Sequence, residues 1–200
     1  MEDENIWDFI FELGQQRFIS HDGLRLAGVK DRDSIGEHTL RTAQIAFILA
    51  KLENYEDPYK VCTIAVFHEI GECRVGDINK IASRYIKGDE ANAVKEQTNK
   101  LGDIGKEILE LWEKFEHAED KAGIIARDAD LLELATIAKE LLEKGYETED
   151  WIVNQIERLQ TESAKRLGAI LKEQNSTNWW KGIKSFSYLP EKVKKHYGKI

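Results

Sequence analysis

The amino-acid sequence predicts an all-α protein built as a helical bundle. Apolar residues recur at helical spacing along most of the 200-residue chain, no segment alternates in the manner of a strand, and no internal repeat is present. The chain has only two prolines, and its 14 glycines are scattered, so no linker marks a boundary between domains. We therefore expect one helical domain, covering residues 1–175, followed by a short C-terminal segment, residues 176–200.

Six predicted helices follow one another along the chain. They cover residues 6–16, 37–53, 58–74, 89–115, 122–145 and 148–174. The apolar stripes of the first two are Ile6, Phe9, Ile10 and Leu13, and then Leu40, Ala43, Phe47 and Ala50. Gly14 ends the first helix, and Asp33 or Ser34 would cap the start of the second.

The third helix is predicted to be the buried centre of the bundle. It begins at Pro58, a residue favoured in a first helical turn, and it is apolar nearly all round from Val61 to Phe67. This apolar run ends abruptly in His68 and Glu69, and Glu72 follows one turn later. Because charged side chains are rarely buried unless they are paired or bind a metal, these three residues need an explanation.

The last three helices complete the bundle. The inward positions of the fourth are Val94, Leu101, Ile104, Ile108, Leu111 and Trp112. That helix has possible breaks at Gly102 or Gly105, the fifth helix ends at Gly145, and Thr148 would cap the sixth.

Charge and composition exclude several classes of protein. The net charge of −8 disfavours a nucleic-acid polymer as partner. Residues 181–200 are the local exception, with six lysines against one glutamate, and the aromatic stretch "NWWKGIKSFSYLP" overlaps them. We interpret this end as an aromatic-anchored segment with a solvated lysine-rich terminus rather than a binding patch.

The chain lacks the marks of a membrane or secreted protein. Its apolar runs are too short to cross a bilayer, and the acidic start "MEDENIWDFI" is not a signal peptide. The two cysteines, Cys62 and Cys73, form no metal-like pair, so free thiols in a reducing cytoplasm are the simplest interpretation.

Four places set ionisable groups against strongly apolar helices. They are His38, the group His68, Glu69 and Glu72, then Asp77, and finally the pair Asp128 and Asp130. Each has a structural alternative: a hydrogen-bonded core histidine, a turn-capping aspartate, or a solvated face beside Arg127. The group at 68–72 resists this explanation because it follows seven largely apolar residues.

These groups predict a metal site of mixed nitrogen and oxygen ligands. His68 and Glu69 would bind the ion together with His38 and one aspartate of "RDAD", while Glu72 manages a proton on a water. The spacing is not that of the zinc peptidases, because position 72 is Glu and not His. Two imidazoles and two carboxylates suit Mn, Co, Fe, Ni or Zn better than Ca.

The ordered motifs resemble the HD-domain superfamily of metal-dependent phosphohydrolases, especially its small 5′-deoxynucleotidase-like subgroup. "DSIGEHTLR" is similar to the family's E-S-x-x-E-H-S/T, and "FHEIGECRVGDI" to its H-D-x-x-E-x-x-x-G-D-I. "ARDADLLE" is similar to K-x-x-D-x-L/F, and "HDGLRLAGV" to R-T-G-W-x-x-x-G-V. The resemblance runs from about residue 5 to about residue 160 and implies an HD-domain helical bundle.

The resemblance assigns roles to individual residues. It implies that the metal ligands are His38, His68, Glu69 and Asp130, with Asp130 preferred over Asp128. Glu72 and Asp77 match acids that the family uses near the attacking water and the substrate. The chain departs from the family at Glu69, where an Asp is usual. His21 and Leu24 stand where the family has Arg and Trp, and the Trp is linked to the choice between deoxyribose and ribose. Arg17 is our candidate for the missing phosphate-binding cation, and the alternatives that the sequence leaves open are Arg32, Arg41, Arg74 and Lys80.

The predicted function is hydrolysis of a phosphate monoester, foremost a nucleoside 5′-monophosphate with deoxyribose favoured. The alternatives are another nucleotide or small phosphorylated metabolite, or a metal- or nucleotide-binding module without turnover. We expect a cytoplasmic protein that requires a divalent metal ion, and homodimers are common among family members of this size.

Overall fold

The computed structural model describes residues 2–181 and confirms the all-α prediction. The α-helices are α1 (Asp3–Leu13), α2 (Ile35–Leu52), α3 (Pro58–Phe67), α4 (Glu72–Val75), α5 (Glu90–Thr98), α6 (Gly102–His117), α7 (Lys121–Glu143), α8 (Glu149–Glu157) and α9 (Glu162–Glu173). Short 3₁₀ helices cover Gly14–Phe18, Asp22–Ala27 and Ala82–Arg84. Across residues 2–181 the extended backbone forms a single isolated bridge, between Ser20 and Ser34.

Side-chain caps fix where the central helices begin. Ser34, and not Asp33, caps α2 in a reciprocal capping box, in which its hydroxyl accepts the Glu37 N–H and the Glu37 carboxylate accepts the Ser34 N–H. Asp57 caps α3 with Pro58 in the first turn, as its position predicts. Asp120 caps α7 by accepting the Gly123 N–H.

Small side chains let the three central helices approach closely. The core between α2, α3 and α7 contains fully buried alanines: Ala46, Ala50, Ala65, Ala122, Ala126, Ala129 and Ala135. Larger residues such as Leu49, Ile64 and Ile125 fill the spaces between them. A second cluster joins α1, α5 and α6 through Phe9, Val94 and Trp112. The close approach of α2, α3 and α7 brings polar residues from all three helices to one point.

Three predicted helices are shorter than their apolar pattern indicated. Residues 89–115 form α5 and α6, separated at Gly102, whose φ of +58° a non-glycine residue rarely adopts. Residues 148–174 form α8 and α9, because Asp128 accepts the backbone N–H groups of Gln160 and Thr161 between them. The third helix ends at Phe67, and a turn precedes α4.

The apolar stripe of α2 also differs from the prediction. Leu40 is 63% exposed, whereas Ala43 and Ala50 of the predicted stripe are buried together with Ala46 and Leu49. Leu40 therefore lies on the outer surface, because the buried polar residues His38, Thr39 and Thr42 occupy the inward positions beside it.

The segment after α9 returns to α7. The backbone N–H and the hydroxyl of Ser176 donate to the Glu143 carboxylate. Trp179 and Trp180 are 79% and 50% exposed. Residues 182–200, with most of the predicted basic terminus, lie outside the described residues, so the division at residue 175 stays a prediction. Within 2–181, no helix has both the length and the apolar character that a membrane crossing needs.

Candidate metal centre

Three helices bring nitrogen and oxygen ligands to one buried point. His38 lies in the first turns of α2, His68 is the residue that ends α3, and Asp130 lies on α7. One ligand atom from each lies within 4.8 Å of the other two. The two Nε2 atoms are 3.2 Å apart, and Asp130 Oδ1 lies 3.3 Å from His38 Nε2. The predicted convergence of residues 38, 68 and 130 is therefore present in the fold.

Glu69 reaches the same point from the turn that follows α3. Its Oε1 lies 3.3 Å from His68 Nε2 and 3.9 Å from His38 Nε2. The side chains of His68 and Glu69 therefore reach the same point although they are neighbours in the chain. The longer side chain of Glu, compared with Asp, is thus accommodated here.

Hydrogen bonds to the far ring nitrogens orient both imidazoles. His38 Nδ1 donates to Glu133 Oε2 over 2.6 Å, and His68 Nδ1 donates to the Ala65 carbonyl over 2.6 Å. Since neither a carboxylate nor a carbonyl can donate, each proton is placed on Nδ1. Both Nε2 atoms therefore face the shared point, which is the orientation a metal-binding histidine needs.

Glu133 is itself fixed by an arginine. It is fully buried, and its Oε1 accepts a hydrogen bond from Arg41 Nε at 2.8 Å. Arg41 Nη1 also donates to Glu140 Oε1 at 2.9 Å. The charge of Glu133 is therefore paired, which a buried carboxylate requires.

The ring of His68 is also in contact with an aromatic side chain, Phe115, at a tilted angle. The Phe115 ring lies 4.5 Å from the His68 ring, and the Arg127 guanidinium lies 4.4 Å above Phe115. These contacts restrict the imidazole of a residue that is only 2% exposed.

Burial and neighbouring charges shift the pKa values of all four ligand groups. Burial and the neighbouring His38 lower the pKa of His68 to about 3, so its ring stays neutral. Burial raises the pKa of Glu69 to about 8, and Asp130 adds to this effect. Burial opposes charge on both His38 and Asp130, yet their mutual hydrogen bond raises the pKa of His38 and lowers that of Asp130.

Glu72 stands beside the ligands with an unused oxygen. It opens α4, is 8% exposed, and its buried Oε2 has no hydrogen-bond partner among the described residues. Burial raises its pKa to about 10, with further contributions from Glu69 and Asp77. A buried carboxyl group without a partner is costly unless a ligand or a cation completes its surroundings.

Asp77 connects the site to the neighbouring 3₁₀ helix. Its Oδ2 accepts the Asp22 backbone N–H, and the Asn79 side chain donates to Asp22 Oδ2 at 2.6 Å. Asp77 therefore caps a turn, as its structural alternative supposed, and it also lines a cavity.

This cavity has a volume of about 460 Å³ and lies between the Asp22–Ala27 helix, the loop at 77–81 and α8. It is lined by His21, Gly23, Leu24, Leu26, Asp77, Ile78, Asn79, Lys80, Ile81, Leu134, Asp150, Trp151, Asn154 and Gln155. The His21 ring lies 4.6 Å from that of His38, so the cavity begins one side chain away from the metal ligands. Leu24 also packs on the core residues Val29, Ile137 and Leu141.

The sequence motifs left open whether Asp128 or Asp130 faces the metal site, and the structure gives the two residues different surroundings. Asp128 is fully buried and turned toward α9, where it accepts the N–H and hydroxyl of Thr161. Asp130 faces the histidines. Arg17 is exposed, with its guanidinium 4.7 Å above the Phe18 ring, and it is absent from the cavity lining.

Sequence reasoning missed Glu133 and the cavity residues on α8. Glu133 follows Asp130 by three positions, which places both on one face of α7, and a lone acid within a leucine-rich turn was an available signal. Trp151, Asn154 and Gln155 carried no comparable signal, because nothing local to α8 indicates what it packs against.

The donor set fits a divalent cation. Two oriented imidazoles and two carboxylates surround one point, a ligand set suited to a first-row transition metal. Glu72 and Asp77 add acidic groups, and the buried Glu72 Oε2 has no hydrogen-bond partner among residues 2–181. His38, His68, Glu69 and Asp130 would hold the ion.

Comparison with known proteins identifies the family. The family model described as HD domain matches residues 13–172. The chain belongs to the HD domain family. A protein of Dictyostelium discoideum named 5′-deoxynucleotidase HDDC2 is 29% identical to this HD domain over 158 residues, covering 74% of this chain and 83% of that protein. Its human namesake is 26% identical over 140 residues, covering 68% of each chain. A conserved hypothetical protein from Pyrococcus furiosus superposes with a TM-score of 0.70 at 28% identity, covering 83% of this chain and 96% of the other.

Proposed function

We propose that this protein is a metal-dependent phosphomonoester hydrolase that releases phosphate from nucleoside 5′-monophosphates, with deoxyribose favoured. The observation that carries the proposal is the ligand cluster of His38, His68 and Asp130 one side chain away from a cavity of about 460 Å³. The names of the relatives support the same activity.

The division of labour follows from the positions of the acids. His38, His68, Glu69 and Asp130 would hold a divalent ion, which would supply positive charge to polarise a phosphoryl oxygen and to lower the pKa of a water. Glu72 Oε2 would accept the proton of the attacking water once a bound cation lowers the pKa of this carboxyl group, which burial, Glu69 and Asp77 raise in the metal-free protein. Asp77 has one oxygen engaged by the Asp22 N–H, and its other oxygen orients the water or the leaving group.

The cavity supplies the substrate-binding surface. Leu24 and His21 line the side nearest the ligands, where we propose that the sugar lies, and Trp151 offers an indole face for a base. Leu24 leaves more room than the indole found at this position in the family, so the preference for deoxyribose over ribose is the part of the proposal that most needs measurement.

The experiment is a phosphate-release assay with protein loaded with Mn, Co or Zn. The panel contains deoxyribose and ribose 5′-monophosphates of the same bases, together with monoesters that have no base. We expect turnover of the nucleotides, and a decrease in kcat of about 10²- to 10⁴-fold in Glu72→Gln without loss of bound metal. The exposed Glu107→Gln on α6 is the matched control and should be unchanged.

Two outcomes would contradict the proposal. Preferred turnover of monoesters without a base would assign the site to another phosphorylated metabolite. Metal binding without release of phosphate from any compound would make the domain a binding module.

A further inference from the structure

The substrate of the proposed hydrolase carries a dianionic phosphate, so a cationic side chain is expected beside the metal ligands. The sequence offers several basic residues around the site, and their contacts in the structure distinguish them.

Most of these side chains already have partners. Arg41 contacts Glu133 and Glu140, Arg74 contacts Glu12 and Glu96, Arg25 contacts Asp22, Arg32 donates to the Val29 carbonyl, Arg127 donates to the Glu116 carbonyl, and Arg17 lies over Phe18. None of the six lines the cavity. Moving any of the three carboxylate-bound arginines, Arg25, Arg41 and Arg74, to a phosphate would break a charge-assisted hydrogen bond.

Lys80 differs from all of them. It lines the cavity together with Asp77 and Asn79, and its ammonium has no hydrogen bond or ion pair with any of residues 2–181. It belongs to the loop that Asn79 holds in place, since Asn79 Oδ1 accepts the N–H groups of Ile81 and Ala82. The backbone that carries Lys80 is therefore fixed while the ammonium remains available.

A second positive group, Arg158, contacts one of the cavity residues. Arg158 donates to Gln155 Oε1 at 3.0 Å, and Gln155 lines the cavity. Burial and the charge of Arg158 lower the pKa of Lys80, while Asp130 acts in the opposite direction. The charges of Arg158 and Asp130 both act on this ammonium, and a bound anion would relieve the repulsion between Lys80 and Arg158.

We propose that Lys80, from the wall of the cavity, binds the phosphate group of the substrate. This inference rests on the proposed function for the identity of the anion, and the geometry supplies the residue.

The test separates phosphate binding from catalysis. Full-length protein loaded with Mn is titrated calorimetrically with inorganic phosphate, and the same preparation is assayed with a nucleoside 5′-monophosphate. Lys80→Met removes the charge and keeps most of the stem, and Lys80→Arg restores a cation. The control is Lys87→Met, at an exposed lysine that follows the Ala82–Arg84 helix.

We expect Lys80→Met to weaken phosphate binding by about 10- to 100-fold, which is the usual effect of losing a charged hydrogen-bond partner. The KM should rise by a similar factor, with a smaller change in kcat. Lys80→Arg should recover most of the affinity, and Lys87→Met should match the wild type.

Each result bears on one proposal or the other. If Lys80→Met and the wild type bind phosphate and turn over equally, the role of Lys80 is refuted while the hydrolase proposal stands. If the wild type releases no phosphate from any nucleotide but binds phosphate in a manner that depends on Lys80, the hydrolase proposal fails and the anion site stands. If the wild type neither binds nor releases phosphate, both are refuted.

Discussion

Glu133→Gln should reverse the proton arrangement of His38 and thereby weaken metal binding. Glu133 accepts two hydrogen bonds, from His38 Nδ1 at 2.6 Å and from Arg41 Nε at 2.8 Å. A glutamine of the same shape has one oxygen and one NH₂ group, so it can accept only one of the two. Arg41 cannot lose its proton, and the amide oxygen will therefore turn toward Arg41.

The NH₂ group then faces His38 Nδ1. Because Glu133 is fully buried, water cannot take its place, and the imidazole responds by carrying its proton on Nε2 instead. Nε2 is the atom that lies 3.3 Å from Asp130 and 3.2 Å from His68 Nε2, at the point where the ion would bind. Loss of an outer hydrogen-bond partner of this kind lowers metal affinity by about 10- to 100-fold, or about 1.4–2.7 kcal/mol.

The measurement is a competition titration of Mn or Zn against a chromophoric chelator at constant pH. Glu140→Gln is the matched control, because Glu140 contacts the same arginine from a side chain that is 34% exposed and does not contact His38. We expect the affinity of that control to stay within about twofold of the wild type, since exposed ion pairs contribute little. A folded Glu133→Gln protein that binds metal as tightly as the wild type would refute the reasoning.

Three further predictions concern metal and stability. Asp128→Ala should lower the free energy of unfolding by about 2–3 kcal/mol and retain metal, because the hydrogen bonds of Asp128 go to Gln160 and Thr161. Asp130→Ala should instead lose metal. Urea denaturation measures the stability of the two variants, and elemental analysis measures their metal content. A saturating metal at about 100 times its Kd should stabilise the wild type by about 2.7 kcal/mol over protein in chelator, and a similar gain in His68→Ala would contradict the ligand assignment. Metal-free protein should lose stability between about pH 7 and about pH 9: Glu69 and Glu72, with pKa values raised to about 8 and about 10 from 4.5, bind protons in the folded state that the unfolded state has released. The lowered pKa of His68 changes the stability only below its ordinary value of 6.5, outside this pH range. Constant or rising stability between about pH 7 and about pH 9 in denaturant titrations would therefore count against the burial of Glu69 and Glu72.

The fold class and the ligand cluster were predictable because they depend on strong local signals. Apolar periodicity predicts where helices lie, and ionisable groups at the end of an apolar run predict a buried polar function, as at His68. Asp130 could be preferred over Asp128 only through the family resemblance, because two aspartates two positions apart on a helix face opposite directions and both are buried.

The breaks in the long helices depended on tertiary contacts. Asp128, on α7, interrupts the predicted helix at 148–174 by accepting N–H groups from Gln160 and Thr161, 32 and 33 positions away. The apolar pattern of that segment continues through the break, so periodicity alone predicts one helix. The cavity was not predictable from the sequence either, because it forms between Trp151 of α8 and residues 21–26, which are far apart in the chain.

The link between Asp22, Asp77 and Asn79 has a consequence for protein engineering. The peptide N–H of Asp22 is bound to Asp77, and the Asp22 carboxylate is bound to Asn79, so residues 22–27 and the 77–81 loop move together. Exchanging residues 22–27 to alter which sugar is accepted would also shift a proposed catalytic carboxylate unless Asp22 is retained. Selectivity and turnover at this site are therefore not independent design variables, and libraries that vary Leu24 should hold Asp22 constant.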